Sequence, residues 1–138
     1  MTIPQIICHF IVCKSPDAPV PERLVDALVQ AGYLAELMEV TRSHFTASVI
    51  EIALGASRSR VYVDTSEDFE QGHDLSTGDW EIVEELIDPQ NARTIRRLVV
   101  VRAWEHADLA AVQYLVEAVC AAMDGRLAER QDRGSPFP

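Results

Sequence analysis

The sequence predicts an α+β fold of the ferredoxin-like, split βαβ type, in which an antiparallel or mixed sheet carries helices packed on one face. Two observations lead to this prediction. The elements follow the order strand, helix, two or three strands, helix, strand, helix, and the strands cluster in the middle of the chain. Neither a repeat nor a linker interrupts the 138 residues, so we expect one domain over 1–130 and a loosely ordered tail over 131–138.

The chain begins with a clear strand, loop and helix. The run from Ile6 to Cys13 is apolar on both of its alternating faces, which is typical of a strand that is central in its sheet or covered on both sides. Turn-forming residues follow, and a helix begins near Val20, where Pro21 suits the first turn. Gly32 is a natural C-terminal cap, so this helix is expected to end there.

The middle of the chain favours strands but leaves one alternative open. Tyr33 to Val40 has the interrupted alternation of an edge strand. Residues 46–64 favour a hairpin, because β-branched residues flank a turn around Gly55. Residues 43–54 also fit a helix capped by Ser43, and in that case the chain becomes a small alternating α/β fold.

The second half of the chain is mainly helical, with one further strand. A polar loop over 65–78 precedes a helix capped by Asp79, which the turn at Asp88 interrupts. Arg97 to Ala103 is a clear strand. A long helix then runs from about His106 to Gly125, because its apolar residues recur at three- and four-residue spacing.

The net charge of −10 is concentrated in one segment. Of the 22 Asp and Glu residues, ten lie in residues 64–88, which contain no Lys or Arg, so the rest of the chain is formally neutral. Such a segment repels nucleic acid and anionic membranes, and it attracts a basic partner or a cation. A solvated loop and helix face is the simpler explanation of the same pattern. We expect Arg93, Arg96 and Arg97, with Arg58 and Arg60, to offset part of this charge, within the fold or across a dimer.

Membrane insertion and secretion are not indicated. The longest apolar run, Ile6 to Cys13, is far shorter than the ~20 residues that a membrane-spanning helix needs. Three cysteines, an odd number, occur without a secretory signal, which indicates a reduced, cytoplasmic protein. We therefore expect no membrane partner and no nucleic-acid partner.

The short motifs of common enzyme classes are missing. The sequence contains no dinucleotide fingerprint, P-loop, zinc-protease, C-x-x-C, nucleophile-elbow or EF-hand spacing. We therefore assign no catalytic residue, no metal and no cofactor, and the prediction leans away from an enzyme. Two weaker ideas stay open, a hard cation bound by acids of the 64–88 segment and a nucleophilic thiol at Cys13 beside Lys14.

The leading functional hypothesis is a non-catalytic protein-interaction or regulatory module, of the kind represented by immunity proteins and inhibitors. It would bind a basic protein partner through the acidic surface at 64–88, where a tryptophan fits an interface hot spot. The hypothesis includes self-association as a homodimer or other homo-oligomer. The candidate partner-binding residues are Glu67, Asp68, Glu70, Asp74, Trp80, Glu84 and Glu85.

The competing hypothesis is a small-molecule-binding protein or an enzyme that acts on an anionic substrate. If the strands at 6–13 and 97–103 lie parallel and adjacent, their carboxyl ends meet at one rim beside two helix N-termini, which favour anions. The candidate ligand-binding residues at this rim are Lys14, Ser15, Arg102, Glu105 and His106.

Overall fold

The computed structural model describes residues 5–42, 47–69 and 78–128. These residues form an α+β fold with a six-stranded antiparallel sheet and four helices. The strands are β1 (Ile6–Cys13), β2 (Ala35–Arg42), β3 (Ser48–Leu54), β4 (Ser59–Thr65), β5 (Arg97–Trp104) and β6 (Gly125–Leu127). The helices are α1 (Pro21–Gln30), α2 (Gly78–Leu86), α3 (Pro89–Ala92) and α4 (Leu109–Met123). The predicted tail at 131–138 lies outside the described residues.

The strands are ordered β2-β3-β4-β5-β1-β6 across the sheet, and each neighbouring pair is antiparallel. The ferredoxin-like arrangement is not confirmed, because the strand order and the helix packing differ from it. The predicted edge position of the second strand is confirmed, since β2 pairs only with β3. The hairpin is confirmed as β3 and β4, so the helical alternative is wrong over 48–54, while residues 43–46 lie outside the described part of the chain.

The predicted parallel pairing of β1 and β5 is wrong. Ile6 lies opposite Trp104 and Cys13 lies opposite Arg97, so the two strands are adjacent but antiparallel. The connection between β4 and β5 does not cross over the sheet as a βαβ unit does. The segment after β4 at first stays beside β5, because the Ser66 N–H donates to the Leu98 carbonyl at 2.9 Å. A long connection thus joins β4 and β5 as antiparallel neighbours.

One face of the sheet, here called the first face, is covered by α1 and α4. Because side chains alternate along each strand, the four central strands contribute apolar residues at alternate positions to this core. Ile52, Val63 and Val101 pack there against Leu28 of α1 and Leu115 of α4, and none of these side chains has exposed surface. This face forms the main core of the protein.

The opposite, second face is covered only in part, by α2 and α3. Val83 of α2 and Ala92 of α3 pack against Val12 and Leu98 in a separate, smaller core. The prediction that all helices pack on one face is therefore wrong. Beyond this core the second face carries cross-strand charged pairs, such as Arg60 with Glu51 at 3.2 Å.

The helix boundaries follow from local signals. α1 begins with Pro21 in its first turn, and Gly32 adopts a φ of +95° just after its end, as the cap prediction requires. α4 begins at Leu109, somewhat later than predicted, because the Asp108 carboxylate caps it by accepting from the Ala111 N–H at 3.2 Å. No helix in the described ranges is long and apolar enough to cross a membrane.

Gly125 has a different role from the predicted helix cap. The left-handed residue that ends α4 is Asp124, with a φ of 49°, and Gly125 already belongs to β6. A Cβ atom on Gly125 would lie 2.9 Å from Cys13 Sγ and 2.9 Å from Ile11 Cγ2. Glycine is therefore required because Gly125 pairs with Cys13 at the edge of the sheet, where the side chains of β1 leave no room for a Cβ atom.

Candidate functional site

The structure does not assemble the predicted rim. Lys14 and Ser15 follow the carboxyl end of β1, which lies beside Arg97 at the start of β5. Arg102, Glu105 and His106 belong to the other end of β5, beside Ile6. The eight residues of each strand separate the two groups by roughly 24 Å at ~3.4 Å per residue. A single ligand site formed by these five residues is therefore wrong.

Lys14 and Ser15 hold a turn in place. Their backbone N–H groups donate to the carbonyls of Asp124 and Met123, each at 3.1 Å, which ties this turn to the end of α4. The Ser15 hydroxyl accepts from the Asp17 N–H at 3.1 Å. These contacts are local and structural, since they satisfy backbone groups at a helix end and a turn.

Glu105 and His106 also have local contacts at the far end of the sheet. The Glu105 N–H donates to the Gln5 carbonyl at 2.8 Å, and a Glu105 side-chain oxygen accepts from the Gln5 N–H at 3.3 Å. The His106 ring stacks on Trp104 with a centroid distance of 6.3 Å. Both residues are exposed, and they form the turn that leads from β5 towards α4.

Arg102 pairs with a residue of the acidic segment. Its Nε donates to Asp64 Oδ2 at 2.6 Å and its Nη2 to Asp64 Oδ1 at 3.2 Å. The guanidinium also lies 5.0 Å from the centre of the Tyr62 ring, within cation–π range. The hydrogen bond to Asp64 raises the pKa of Arg102. On the second face, the Arg102 guanidinium is thus held by a carboxylate of the same chain.

Asp68 lies inside the protein, in contrast to the exposed position expected of a partner-binding residue. It is only 4% exposed, and its carboxylate accepts from Arg96 Nε at 2.9 Å and Nη2 at 2.6 Å. The prediction that a group of arginines offsets part of the acidic charge within the fold is confirmed for Arg96. Arg58 and Arg60 pair instead with Glu36 and Glu51, which lie outside the acidic segment. A buried, bidentate pair such as that of Asp68 and Arg96 fixes the loop that follows β4.

Arg97 also stabilises this loop, through hydrogen bonds to backbone carbonyls. The side chain is 2% exposed, and it donates to the Pro16 carbonyl at 2.7 Å and to the Ser66 carbonyl at 2.8 Å. Burial lowers the pKa of Arg97, and the charges of Asp68 and Asp17 oppose that effect. One buried guanidinium thus joins the β1–α1 loop to the start of the acidic segment.

The other candidate partner-binding residues divide between half-buried and exposed positions. Glu67 is half-buried, and so is Trp80, whose ring meets Phe69 edge-on at a centroid distance of 5.1 Å. Glu84 and Glu85 are exposed on α2. Glu70 and Asp74 lie outside the described residues.

A groove of about 540 Å³ lies on the second face, at the border of the area that α2 covers. The sheet supplies an apolar floor that includes Phe10, Val49, Leu98 and Val100, and Ile82 of α2 belongs to the wall. Four charged residues line it, namely Arg42 of β2, Asp64 with its partner Arg102, and Asp79 in the first turn of α2.

Asp79, which the sequence indicated as a helix cap and as one of the acids able to bind a hard cation, lies in the first turn of α2. Burial raises the pKa of its carboxyl group, and the nearby charge of Asp64 raises it further. The pattern of the sequence contained one indirect signal for the groove, since β4 alternates buried Val61 and Val63 with polar residues on the other face. Nothing local indicates how far α2 extends across that face.

Cys13 does not have the properties of a nucleophile. The thiol is completely buried, and burial, helped by nearby Cys120, raises its pKa to about 12. Because the thiolate is the reactive form, the idea of an activated Cys13 beside Lys14 is wrong. Cys8 is the exposed thiol among the three cysteines, and none of the three forms a disulfide.

The described residues contain no group of three or more His, Cys, Asp or Glu side chains arranged to hold a metal ion. Their acidic groups are instead separated, with Asp64 and Asp68 paired to different arginines. Comparison of the chain with protein-family models, with curated proteins and with solved structures finds no match.

Proposed function

We propose that the protein is a non-catalytic interaction module that binds a basic protein surface through the outer face of α2. This α2 acidic face consists of Glu81, Glu84 and Glu85, which are all exposed. Their spacing of three and four residues places them on one side of the helix, opposite the buried Val83. Three like charges at this spacing weaken an isolated helix, and a basic partner would relieve their repulsion.

The observation that carries the proposal is the division of the acidic segment. Asp64 and Asp68 are neutralised internally by Arg102 and Arg96. Glu81 and Glu84, in contrast, make no ion pair with any residue of the described ranges. Among the described acids of the segment, Glu81 and Glu84 thus leave charge available to a partner on one short helix, and half-buried Trp80 at its start supplies apolar surface nearby.

The test compares two triple variants in which the same number of charges is removed. The first is Glu81→Gln, Glu84→Gln and Glu85→Gln on the α2 acidic face. The control is Glu22→Gln, Asp26→Asn and Glu39→Gln, which changes exposed acids on α1 and β2. Proteins captured by the wild-type chain are identified by mass spectrometry, and the binding of a purified captured protein is then measured at rising ionic strength.

We expect the α2 variant to lose a basic captured protein and the control variant to keep it. Binding should also weaken as salt rises, because the Debye length shortens from about 30 Å at ~0.01 M to about 3 Å at ~1 M. Equal capture by both variants, or binding that is insensitive to salt, contradicts the proposal. Far-UV circular dichroism of both variants verifies that α2 still forms.

The proposal also includes a cytoplasmic location and self-association. Three cysteines without a disulfide, one of them exposed, agree with a reducing compartment. β2 is an eight-residue strand whose outer edge is unpaired in the described sheet, which is the natural place for a second copy to pair. Light scattering over a range of protein concentrations tests self-association, and a constant monomer mass would contradict it.

A further inference from the structure

α4 is more apolar than a helix at the surface of a protein usually is. Glu117 is the single charged residue among its 15 residues. Val112 and Leu115 are buried against the sheet, but the opposite, outer side of the helix is exposed and also largely apolar. Leu109 is 56% exposed and Tyr114 is 37% exposed. Because a helix that is apolar on all sides is normally covered on all sides, we expect the outer side of α4 to contact another chain.

A groove of about 500 Å³ lies between α4 and α1 on this outer side. Its apolar lining comes from both helices and consists of Leu24, Ala27, Tyr114, Ala118, Ala121 and Ala122. The distance between two packed helices depends on the side chains at their contact, so the alanines allow the backbone of another helix to approach closely. The groove therefore suits the apolar side of a helix.

Two opposite charges border this groove without neutralising each other. Arg23 of α1 and Glu117 of α4 are both exposed, and they are the charged residues among the described residues that line it. Neither forms an ion pair within the described ranges, although the Glu117 carboxylate accepts from Gln113 Nε2 at 3.2 Å. Glu22 and Asp26 of α1 do not line the groove. A helix that enters the groove thus needs an apolar side and one carboxylate that can meet Arg23.

We propose that a second copy of this chain occupies the groove, with α4 of each copy packed between α1 and α4 of the other. α4 has the required apolar side, and Glu117 is its one carboxylate. A twofold axis makes the contact reciprocal, so that Glu117 of each copy meets Arg23 of the other and the ion pair forms twice. This inference rests on the self-association included in the proposed function, and it assigns self-association to a surface different from the β2 edge.

The experiment reverses the two charges one at a time. Arg23→Glu leaves only carboxylates at the groove, and Glu117→Arg leaves only guanidinium groups. Each variant alone should raise the dissociation constant of the dimer by at least about tenfold, because both reciprocal contacts become repulsive. An equimolar mixture of the two variants should restore dimerisation, since every contact then joins a carboxylate to a guanidinium. Sedimentation equilibrium over a range of protein concentrations measures these constants, and circular dichroism verifies that both variants fold.

The control variant is Glu39→Arg, an equal change of charge at an exposed position of β2. It should leave the dissociation constant unchanged. A wild-type chain that stays monomeric, a mixture that fails to restore the dimer, or a loss of dimer caused by Glu39→Arg and not by the groove variants would overturn the proposal. Capture of a basic protein by the α2 acidic face is measured separately, so either proposal can fail without the other.

Discussion

The two faces of the sheet differ in how completely helices cover them. On the first face, α1 and α4 bury a continuous core that reaches from β1 across to β3. On the second face, the short helices α2 and α3 cover mainly β1 and the start of β5. The remainder of that face carries ion pairs, Tyr62 and the groove. Stability therefore resides mainly on the first face, and the second face is where a ligand or partner can be recognised.

The largest effect should come from a cavity in the first core. Leu115→Ala removes a side chain with no exposed surface and should lower the free energy of unfolding by about 3 kcal/mol. Leu86→Ala makes the same change on half-buried α2 and should cost about 1 kcal/mol, because water and neighbouring side chains can fill the space. Urea denaturation measures both values. Equal losses would contradict the contrast between the faces.

The opposite change, overpacking, tests how tightly the first face is built. Gly125→Ala places a methyl group against Cys13 Sγ and Ile11 Cγ2, and it should destabilise the protein by about 2 kcal/mol. Part of this loss should be recovered when Cys13→Ala is added, because the sulfur is removed from the point of contact. A double-mutant cycle gives the coupling. Purely additive losses would show that the cost arises elsewhere in the turn.

Removal of the ion pair between Asp68 and Arg96 tests whether this pair anchors the loop that follows β4. Asp68→Asn leaves Arg96 without its carboxylate and should cost about 1.5 kcal/mol, since the Asp68 side chain is 5% exposed and that of Arg96 is 27% exposed. Glu36→Gln breaks the pair with Arg58, in which each side chain is 57% exposed, and should change stability by less than about 0.5 kcal/mol. Similar values for the two variants would mean that the Asp68 pair does not anchor the loop.

The sequence predicted the elements better than their arrangement, for a physical reason. Alternation and capping are local, so β1, α1 and the β3–β4 hairpin were predicted from nearby residues alone. The direction in which β1 pairs with β5 depends on the course of the chain between β4 and β5. Ser66 and Phe69 fix that course by donating backbone hydrogen bonds to Leu98 and Arg96, and no periodic pattern encodes these contacts.

The candidate site was predictable only in part for the same reason. A charge count identifies the acidic segment, but it does not distinguish Asp68, which pairs with Arg96 inside the fold, from Glu84, which faces solvent. Asp79 was recognised as a residue at a helix start. Asp79 lies beside a groove because α2 leaves part of the sheet uncovered there. The packing of α2 on the sheet is tertiary structure, which local sequence patterns do not encode.

The smallest expected effect concerns the pH dependence contributed by Asp79. Because its pKa is raised in the folded state, the folded protein holds this proton more tightly than the unfolded chain does. The contribution to stability is therefore complete below 3.8, the ordinary pKa of an aspartate, and is lost as pH rises through the folded pKa. The free energy of unfolding of the wild type minus that of Asp79→Asn should thus decrease as pH rises from about 3.8 towards neutrality. We expect a change of less than about 1 kcal/mol, because the side chain is partly exposed and water screens its charge. Urea denaturation of both proteins at several pH values measures this difference, and a difference that does not fall as pH rises would contradict the prediction.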